Sequence, residues 1–149
     1  RHLPLVHVPG SPGNGRACDH PVSLIHIYPT LVDLCSLPAH PNKGGSNKPL
    51  EGRSLRPFLE DPAREEWKGP PVAFMGIRDK NAAPHFSIRT RRHRYTLCGN
   101  GEEELYDHDK DPNEWTNLAG SPEHDGVRQT LRNQLTARLQ ATRIPEGFR

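Results

Sequence analysis

The feature that most constrains the fold of this chain is its most apolar stretch, residues 22–37. At 3.6 residues per turn, the apolar side chains of this stretch fall on one half of a helix and the polar ones on the other. That half spans roughly 180°, whereas a surface helix usually carries an apolar stripe of about 100°. Ser23 is the expected N-cap, and Pro29 predicts either a kink or a later start. The apolar half consists of Leu24, Ile25, Ile27, Tyr28, Leu31, Val32, Leu34 and Cys35.

Such a helix needs a large apolar surface opposite it, and the rest of the chain is poor in core-forming residues. Apolar residues make up 32% of the 149 residues, and 16 prolines place much of the chain in loops, turns and element ends. We therefore infer that the helix packs against a partner domain that this sequence does not contain. The alternative is that the helix forms the centre of a small core.

Two shorter elements are expected elsewhere in the first 60 residues. Residues 3–8 predict a short strand that ends at Pro9-Gly10, and residues 54–59 predict a short helical turn. Residues 38–70 are otherwise rich in proline and glycine, so we expect loops there.

The second half of the chain predicts an antiparallel meander. Phe86 and Ile88 alternate with polar residues, and Gly99-Asn-Gly101 is a strong hairpin signal. The expected strands are residues 71–77, 85–90, 94–98 and 103–106.

A terminal helix is expected from Pro122 to about Ala141, with Ser121 as its N-cap. Apolar residues recur every four positions along it, so we expect it to pack on one face of the meander. This stripe consists of Val127, Leu131, Leu135 and Leu139.

Charge and hydropathy exclude two broad classes of protein. The net charge of +2 comes from interspersed charges of both signs, which is typical of a solvated surface, so no nucleic-acid partner is expected. No run of about 18 apolar residues occurs, so no membrane span is expected. Residues 1–10 do not have the pattern of a signal peptide.

Neither a metal site nor a catalytic centre is predicted. Asp107, Asp109 and Asp111 resemble the opening of a calcium loop, but Pro112 and Leu118 occupy the positions where an EF-hand needs glycine and a carboxylate. The nine histidines lack metal-binding spacing, and no serine or cysteine lies in a recognisable activating context. Three cysteines leave the disulfide state open.

The densest basic run is Arg89-Thr-Arg-Arg-His-Arg94. One interpretation is a site for a sulfated or phosphorylated polymer. The other, which we favour, is a hairpin turn whose charges face water.

Several motifs, in this order and spacing, resemble the C-terminal part of sulfatases, especially the iduronate-sulfatase-like branch of the alkaline phosphatase superfamily. The resemblance covers nearly the whole chain. The motifs are Arg1-His-Leu-Pro-Leu-Val6, Val8-Pro-Gly10, Pro21-Val-Ser-Leu-Ile-His-Ile-Tyr-Pro-Thr-Leu-Val-Asp-Leu34, Leu50-Glu-Gly-Arg-Ser-Leu-Arg-Pro-Phe-Leu59, Ser87-Ile-Arg-Thr90, Arg94-Tyr-Thr96 and Glu104-Leu-Tyr-Asp-His-Asp-Lys-Asp-Pro-Asn-Glu-Trp-Thr-Asn-Leu118.

The resemblance implies an α+β fold. Residues 1–60 would contribute one edge helix and a connector to a large α/β domain, and residues 61–149 would form a small four-stranded antiparallel sheet with a C-terminal helix. His26 stands where the family pattern usually has Asp.

The resemblance also implies a parent enzyme that hydrolyses sulfate esters, on sulfated sugars in one reading. Such enzymes use calcium and a formylglycine made from Cys in a C-x-P-S-R-type motif. Cys18, Cys35 and Cys98 do not fit that motif, so this chain alone is expected to be inactive.

Three consequences follow for partners, substrate and location. The expected partner is the N-terminal catalytic domain of the same polypeptide, and His85 and Arg89 are the expected contacts to a sulfated carbohydrate. The location implied is the periplasm, the cell exterior or a lysosome-like compartment. The alternatives are a non-catalytic binding module for sulfated polysaccharide, built on residues 89–94, and a degenerate gene fragment.

Overall fold

The computed structural model describes residues 5–38, 50, 52–67, 72–76 and 83–141. The chain divides into two units, Arg1–Pro70 and Pro71–Arg149. This division follows Pro70, downstream of the boundary expected after residue 60. The assignment of the first unit to a larger domain stays a prediction.

The first unit contains two short helices. A 3₁₀ turn, Leu24–His26, leads into α1 (Ile27–Leu34), and α2 is Arg56–Glu60. Pro29 lies in the first turn of α1, where a missing N–H removes no intrahelical hydrogen bond, so the later start is correct. Ser23 precedes the turn but makes no capping bond through its side chain.

The prediction of a strand at residues 3–8 is wrong for residues 5–8, the part of it that the structure describes. Residues 5–8 have no regular structure. A strand needs a neighbouring strand to satisfy its backbone groups. Here the Asn14 side chain bonds the backbone of Val8 instead, at 3.2 Å to its nitrogen and 2.6 Å to its oxygen.

The buried side of the 24–34 helical segment is its polar side. His26 and Thr30 are 0% and 4% exposed. His26 Nδ1 accepts the Arg53 backbone N–H at 3.0 Å, and Thr30 Oγ1 accepts the Leu55 backbone N–H at 2.9 Å. The polar side therefore binds the segment that leads into α2.

The apolar side of the same segment is largely exposed. Leu24 is 81% exposed and Leu31 is 51% exposed, whereas Val32 is buried. The remaining exposed members of this side are Ile25, Ile27 and Tyr28. The helix is therefore not the centre of a small core.

The second unit contains a four-stranded antiparallel sheet in the order β1-β2-β3-β4. The bounds of its strands agree with those of the predicted meander within one residue. The strands are β1 (Val72–Gly76), β2 (His85–Arg89), β3 (His93–Leu97) and β4 (Glu103–Asp107).

The turn between β3 and β4 confirms the predicted hairpin. The Cys98 N–H donates to the Glu102 carbonyl at 2.8 Å, and the Gly101 N–H donates to the Cys98 carbonyl at 2.9 Å. Gly101 has a φ of 88°, which glycine adopts without the steric cost that a Cβ would add.

The last helix, α3 (Asp125–Ala141), follows a 3₁₀ turn at Pro122–His124 and covers one face of the sheet. Ile88, Tyr95 and Leu105 are aligned across β2, β3 and β4, and each is 0% exposed. The predicted stripe is confirmed, because Leu131 and Leu135 are buried against these residues and Val127 and Leu139 pack beside them.

A polar contact also joins α3 to the sheet. Glu103 accepts hydrogen bonds from Tyr95 Oη at 2.5 Å, from Arg132 at 3.1 Å and from Arg128 at 3.2 Å. Burial, with help from the Glu103 bond, raises the pKa of the Tyr95 hydroxyl. Tyr95 therefore stays a neutral donor that orients Glu103 toward the two helix arginines.

The architecture is α+β, as expected. Within the described ranges, no helix combines the length and the hydropathy that a bilayer crossing requires.

Leu135 is buried and Leu24 is exposed, so we expect their replacement by alanine to have very different effects on the stability of the 149-residue chain. Leu135→Ala should lower the free energy of unfolding by about 2–5 kcal/mol, because it leaves a cavity in the core of the second unit. Leu24→Ala, the matched control, should change it by less than about 0.5 kcal/mol. Denaturant titrations followed by circular dichroism measure both values. Equal losses would contradict the burial of Leu135 and the exposure of Leu24.

Candidate functional site

The outer face of the small sheet, opposite α3, carries a cluster of polar side chains. Strand alternation puts His85, Ser87 and Arg89 on this face of β2. His85 and Arg89 lie at opposite ends of the strand, about 13 Å apart along it. The structure therefore brings these two predicted contacts onto one face but not into one cluster.

Arg89 instead lies beside Arg94, its direct partner across β2 and β3. Two like charges directly opposite each other destabilise a sheet unless an anion or a dipole compensates them. Glu114 forms an ion pair with Arg94, whose guanidinium also lies over the Tyr106 ring at 5.4 Å from its centroid.

Glu114 lies in the loop after β4, and its backbone conformation is unusual. Its φ is 61°, a left-handed conformation that costs energy for any residue with a Cβ. The Asp111 carboxylate stabilises this turn by accepting the Thr116 N–H at 2.8 Å. Hydrogen bonds from this and the neighbouring backbone N–H groups hold the pKa of Asp111 below its ordinary value.

His108 links the two sides of the cluster. Its Nε2 lies 2.8 Å from Arg89 Nη1 and 2.5 Å from Glu114 Oε1. The side chain is only 10% exposed. Arg89, His108, Glu114 and Arg94 therefore form one continuous chain of contacts across the outer face.

The basic run at residues 89–94 is extensively paired with acids. Arg92 makes two hydrogen bonds to Asp107, at 2.9 and 2.6 Å, and an ion pair with Asp109 at 3.4 Å. Arg94 is paired with Glu114. This pairing argues against a continuous polyanion surface along the run, although Arg91 and Arg92 do face solvent.

Asp107 lies at the buried end of that pair, 1% exposed. The Arg92 bonds lower the pKa of the Asp107 carboxyl from 3.8 to about 2. Asp107 accepts hydrogen bonds from Arg92, and Asp111 accepts the Thr116 backbone N–H, so both carboxylates have partners within the chain.

The chain matches the model of the family described as N-sulphoglucosamine sulphohydrolase, C-terminal, over residues 2–141. It belongs to this sulfatase C-terminal family.

Relatives of this sulfatase segment are several times longer. This chain is 29% identical to human arylsulfatase K, and the match covers 79% of this chain and 22% of that protein. It also resembles the structure of a 2-O GAG sulfatase, at 28% identity and a TM-score of 0.61, covering 77% of this chain and 24% of that one. The structure of the phosphonate monoester hydrolase of Agrobacterium radiobacter is 29% identical to this chain, with a TM-score of 0.54. The match covers 78% of this chain and 25% of the hydrolase. The segment thus spans about a quarter or less of each relative.

The three cysteines of the sulfatase segment are not joined in disulfides. Cys18, Cys35 and Cys98 are free thiols, and burial raises the pKa of the Cys98 thiol, which disfavours the nucleophilic thiolate. Across the described residues, no group of three or more His, Cys, Asp or Glu could hold a metal ion. The guanidinium groups of Arg89 and Arg94 on the outer face are donors that can form hydrogen bonds to an anion.

The sequence alone did not identify His108 or Glu114 as site residues. Both lie in the motif 104–118 that carried the family resemblance, which was a usable signal. His108 directly follows β4, on the same face as Tyr106, whereas the position of Glu114 depends on its left-handed turn, which no local pattern predicts.

The Asp107 pair predicts loss of stability in acid. A carboxyl with a lowered pKa in the fold stabilises it above its ordinary value of 3.8, and this contribution disappears as the pH falls toward about 2. Asp107→Asn should therefore reduce the pH dependence of unfolding between those values. Denaturant titrations from pH 2 to pH 6 test this.

Asp109→Asn is the matched control, because Asp109 contacts the same arginine but is 67% exposed. Its effect on the pH profile should be much smaller, since exposed ion pairs contribute little. A profile that responds equally to both substitutions would show that the buried pair has no special role.

Proposed function

We propose that this chain is the non-catalytic C-terminal portion of a sulfatase, and that it packs against an N-terminal catalytic domain of the same polypeptide. The observation that carries this proposal is the orientation of α1, whose polar side is buried and whose apolar side faces solvent. Contiguous exposed apolar surface is typical of an interface. A large α/β domain is the partner that the family and the length of its relatives favour.

The parent enzyme would hydrolyse a sulfate ester, with a sulfated sugar as substrate, as the iduronate-sulfatase-like branch does. The family match and the resemblance to a 2-O GAG sulfatase support this class of substrate. The formylglycine and the calcium would be supplied by the catalytic domain. The location would be the periplasm, the cell exterior or a lysosome-like compartment.

Within that parent, Arg89 and His85 would contact the substrate from the outer face of the small sheet. A guanidinium can donate two parallel hydrogen bonds to one sulfate group. The contact between Arg89 Nη1 and His108 Nε2, at 2.8 Å, holds one side of the guanidinium.

The interface is tested by moving the same substitution between two contexts. Leu24→Ala and Leu31→Ala should each cost about 2–5 kcal/mol in a full-length parent, because the leucines become buried there. In the 149-residue chain they should be nearly neutral and should reduce binding of a hydrophobic dye. Neutral behaviour in both contexts would refute the interface.

We expect the chain alone not to hydrolyse sulfate esters. Removal of sulfate needs a nucleophile, charge stabilisation and a leaving-group acid in one place. Aryl-sulfate and phenyl-phosphonate assays with added calcium, on the chain and on a full-length parent, measure this. Turnover by the chain that survives mutation of all three cysteines would reveal an overlooked catalytic centre. Turnover of the phosphonate alone by the parent would change the proposed reaction class.

Arg89→Ala in the parent should raise KM for the natural substrate about tenfold, the typical loss for a hydrogen bond to a charged group. Arg91→Ala is the matched control from the adjacent turn and should leave KM nearly unchanged. Unchanged kinetics with Arg89→Ala would remove Arg89 from the site. Equal losses in both variants would instead favour the polysaccharide-binding interpretation of residues 89–94.

A further inference from the structure

The imidazole of His108 makes two contacts that compete for one atom. Arg89 Nη1 lies 2.8 Å from Nε2, and Glu114 Oε1 lies 2.5 Å from the same nitrogen. A guanidinium only donates hydrogen bonds and a carboxylate only accepts them. Nε2 must be unprotonated to accept from Arg89 and protonated to donate to Glu114.

The surroundings prevent His108 from escaping this competition. The side chain is 10% exposed, and its Nδ1 is buried without a hydrogen-bond partner within the described part of the chain. The competing carboxylate is also fixed, because Glu114 is held by its left-handed backbone and by the ion pair with Arg94.

We infer that His108 is a positioning residue for Arg89, and that a proton on Nε2 decides whether His108 binds Arg89 or Glu114. With Nε2 unprotonated, His108 accepts from Arg89 and fixes its guanidinium. With Nε2 protonated, His108 donates to Glu114, and the N–H groups of Arg89 face another N–H. This deepens the proposed function, since it rests on Arg89 as a contact to a sulfated substrate.

The charged groups around His108 come from every neighbouring element. Arg89 lies on β2, Arg94 on β3 and Glu114 on the loop after β4. Asp107 and Asp109 flank His108 in sequence, but both are paired with Arg92. Of these groups, Arg89 is the donor and Glu114 the acceptor that lie within hydrogen-bond distance of His108 Nε2.

The test uses nuclear magnetic resonance on the ¹⁵N-labelled 149-residue chain. Imidazole nitrogens report the tautomer of His108, and guanidinium signals report the bond of Arg89. We expect the Arg89 signals to move with the same pH midpoint as the His108 ring. In His108→Gln the amide oxygen can still accept from Arg89 but cannot titrate, so the Arg89 signals should stay constant with pH. His93→Gln, on the opposite face of the sheet, is the matched control and should leave the coupled movement intact.

Glu114→Gln removes the competing charge, so the Arg89 signals should keep their bound position to lower pH. The inference is overturned if Arg89 is insensitive to pH while His108 titrates, or if Nε2 stays protonated toward Glu114 throughout. It is also overturned if the coupled movement survives in His108→Gln.

Kinetics on a full-length parent separate this inference from the proposed function. His108→Leu should raise KM roughly tenfold with little change in kcat, and His108→Gln should restore KM while abolishing its pH dependence. If Arg89→Ala leaves KM unchanged, the substrate role of Arg89 fails, and the resonance experiment still decides whether His108 positions it. If Arg89→Ala raises KM and His108→Leu does not, the positioning role alone fails.

Discussion

The structure of the first unit depends on how the backbone of residues 53–55 is satisfied. This segment is irregular, and its N–H groups need acceptors where they are buried. The polar side of the helical segment supplies them through His26 Nδ1 and Thr30 Oγ1. Gly52 makes the approach feasible, because a Cβ there would lie 1.9 Å from the Ile25 carbonyl oxygen. Once the polar side is used in this way, the apolar side can only be covered by something else.

The second unit satisfies its backbone hydrogen bonds and buries its apolar face without a partner. Its sheet satisfies the backbone by strand pairing, and α3 covers the apolar face, so Ile88, Tyr95 and Leu105 are fully buried. The outer face then becomes free to carry polar side chains without loss of core. This division explains why the strongest sign of a macromolecular partner lies in the first unit and the strongest candidate for ligand binding lies in the second.

The sequence predicted what local patterns determine. Alternation at Phe86 and Ile88, the glycine turn before Glu103 and the four-residue leucine period each specify a local geometry, and the sheet and α3 follow from them. The amphipathic helix was also predicted, but its pattern does not say which side the rest of the chain will bury. The expected strand at residues 3–8 failed in its described part because a strand is defined by a neighbour, which its own residues cannot supply.

The candidate site shows the same limit at the level of side chains. Arg89 could be selected from the sequence as a cation on a strand, whereas its neighbours could not. Glu114 reaches His108 and Arg94 through a turn whose left-handed residue is not glycine, so the usual sequence signal for that backbone is missing. Such a turn persists only where its surroundings hold it in place, here the Asp111 carboxylate and the ion pair to Arg94. The same turn places the Glu114 carboxylate against His108 Nε2, the atom that also contacts Arg89. The strained backbone at Glu114 and the competition at His108 are therefore two consequences of one local geometry.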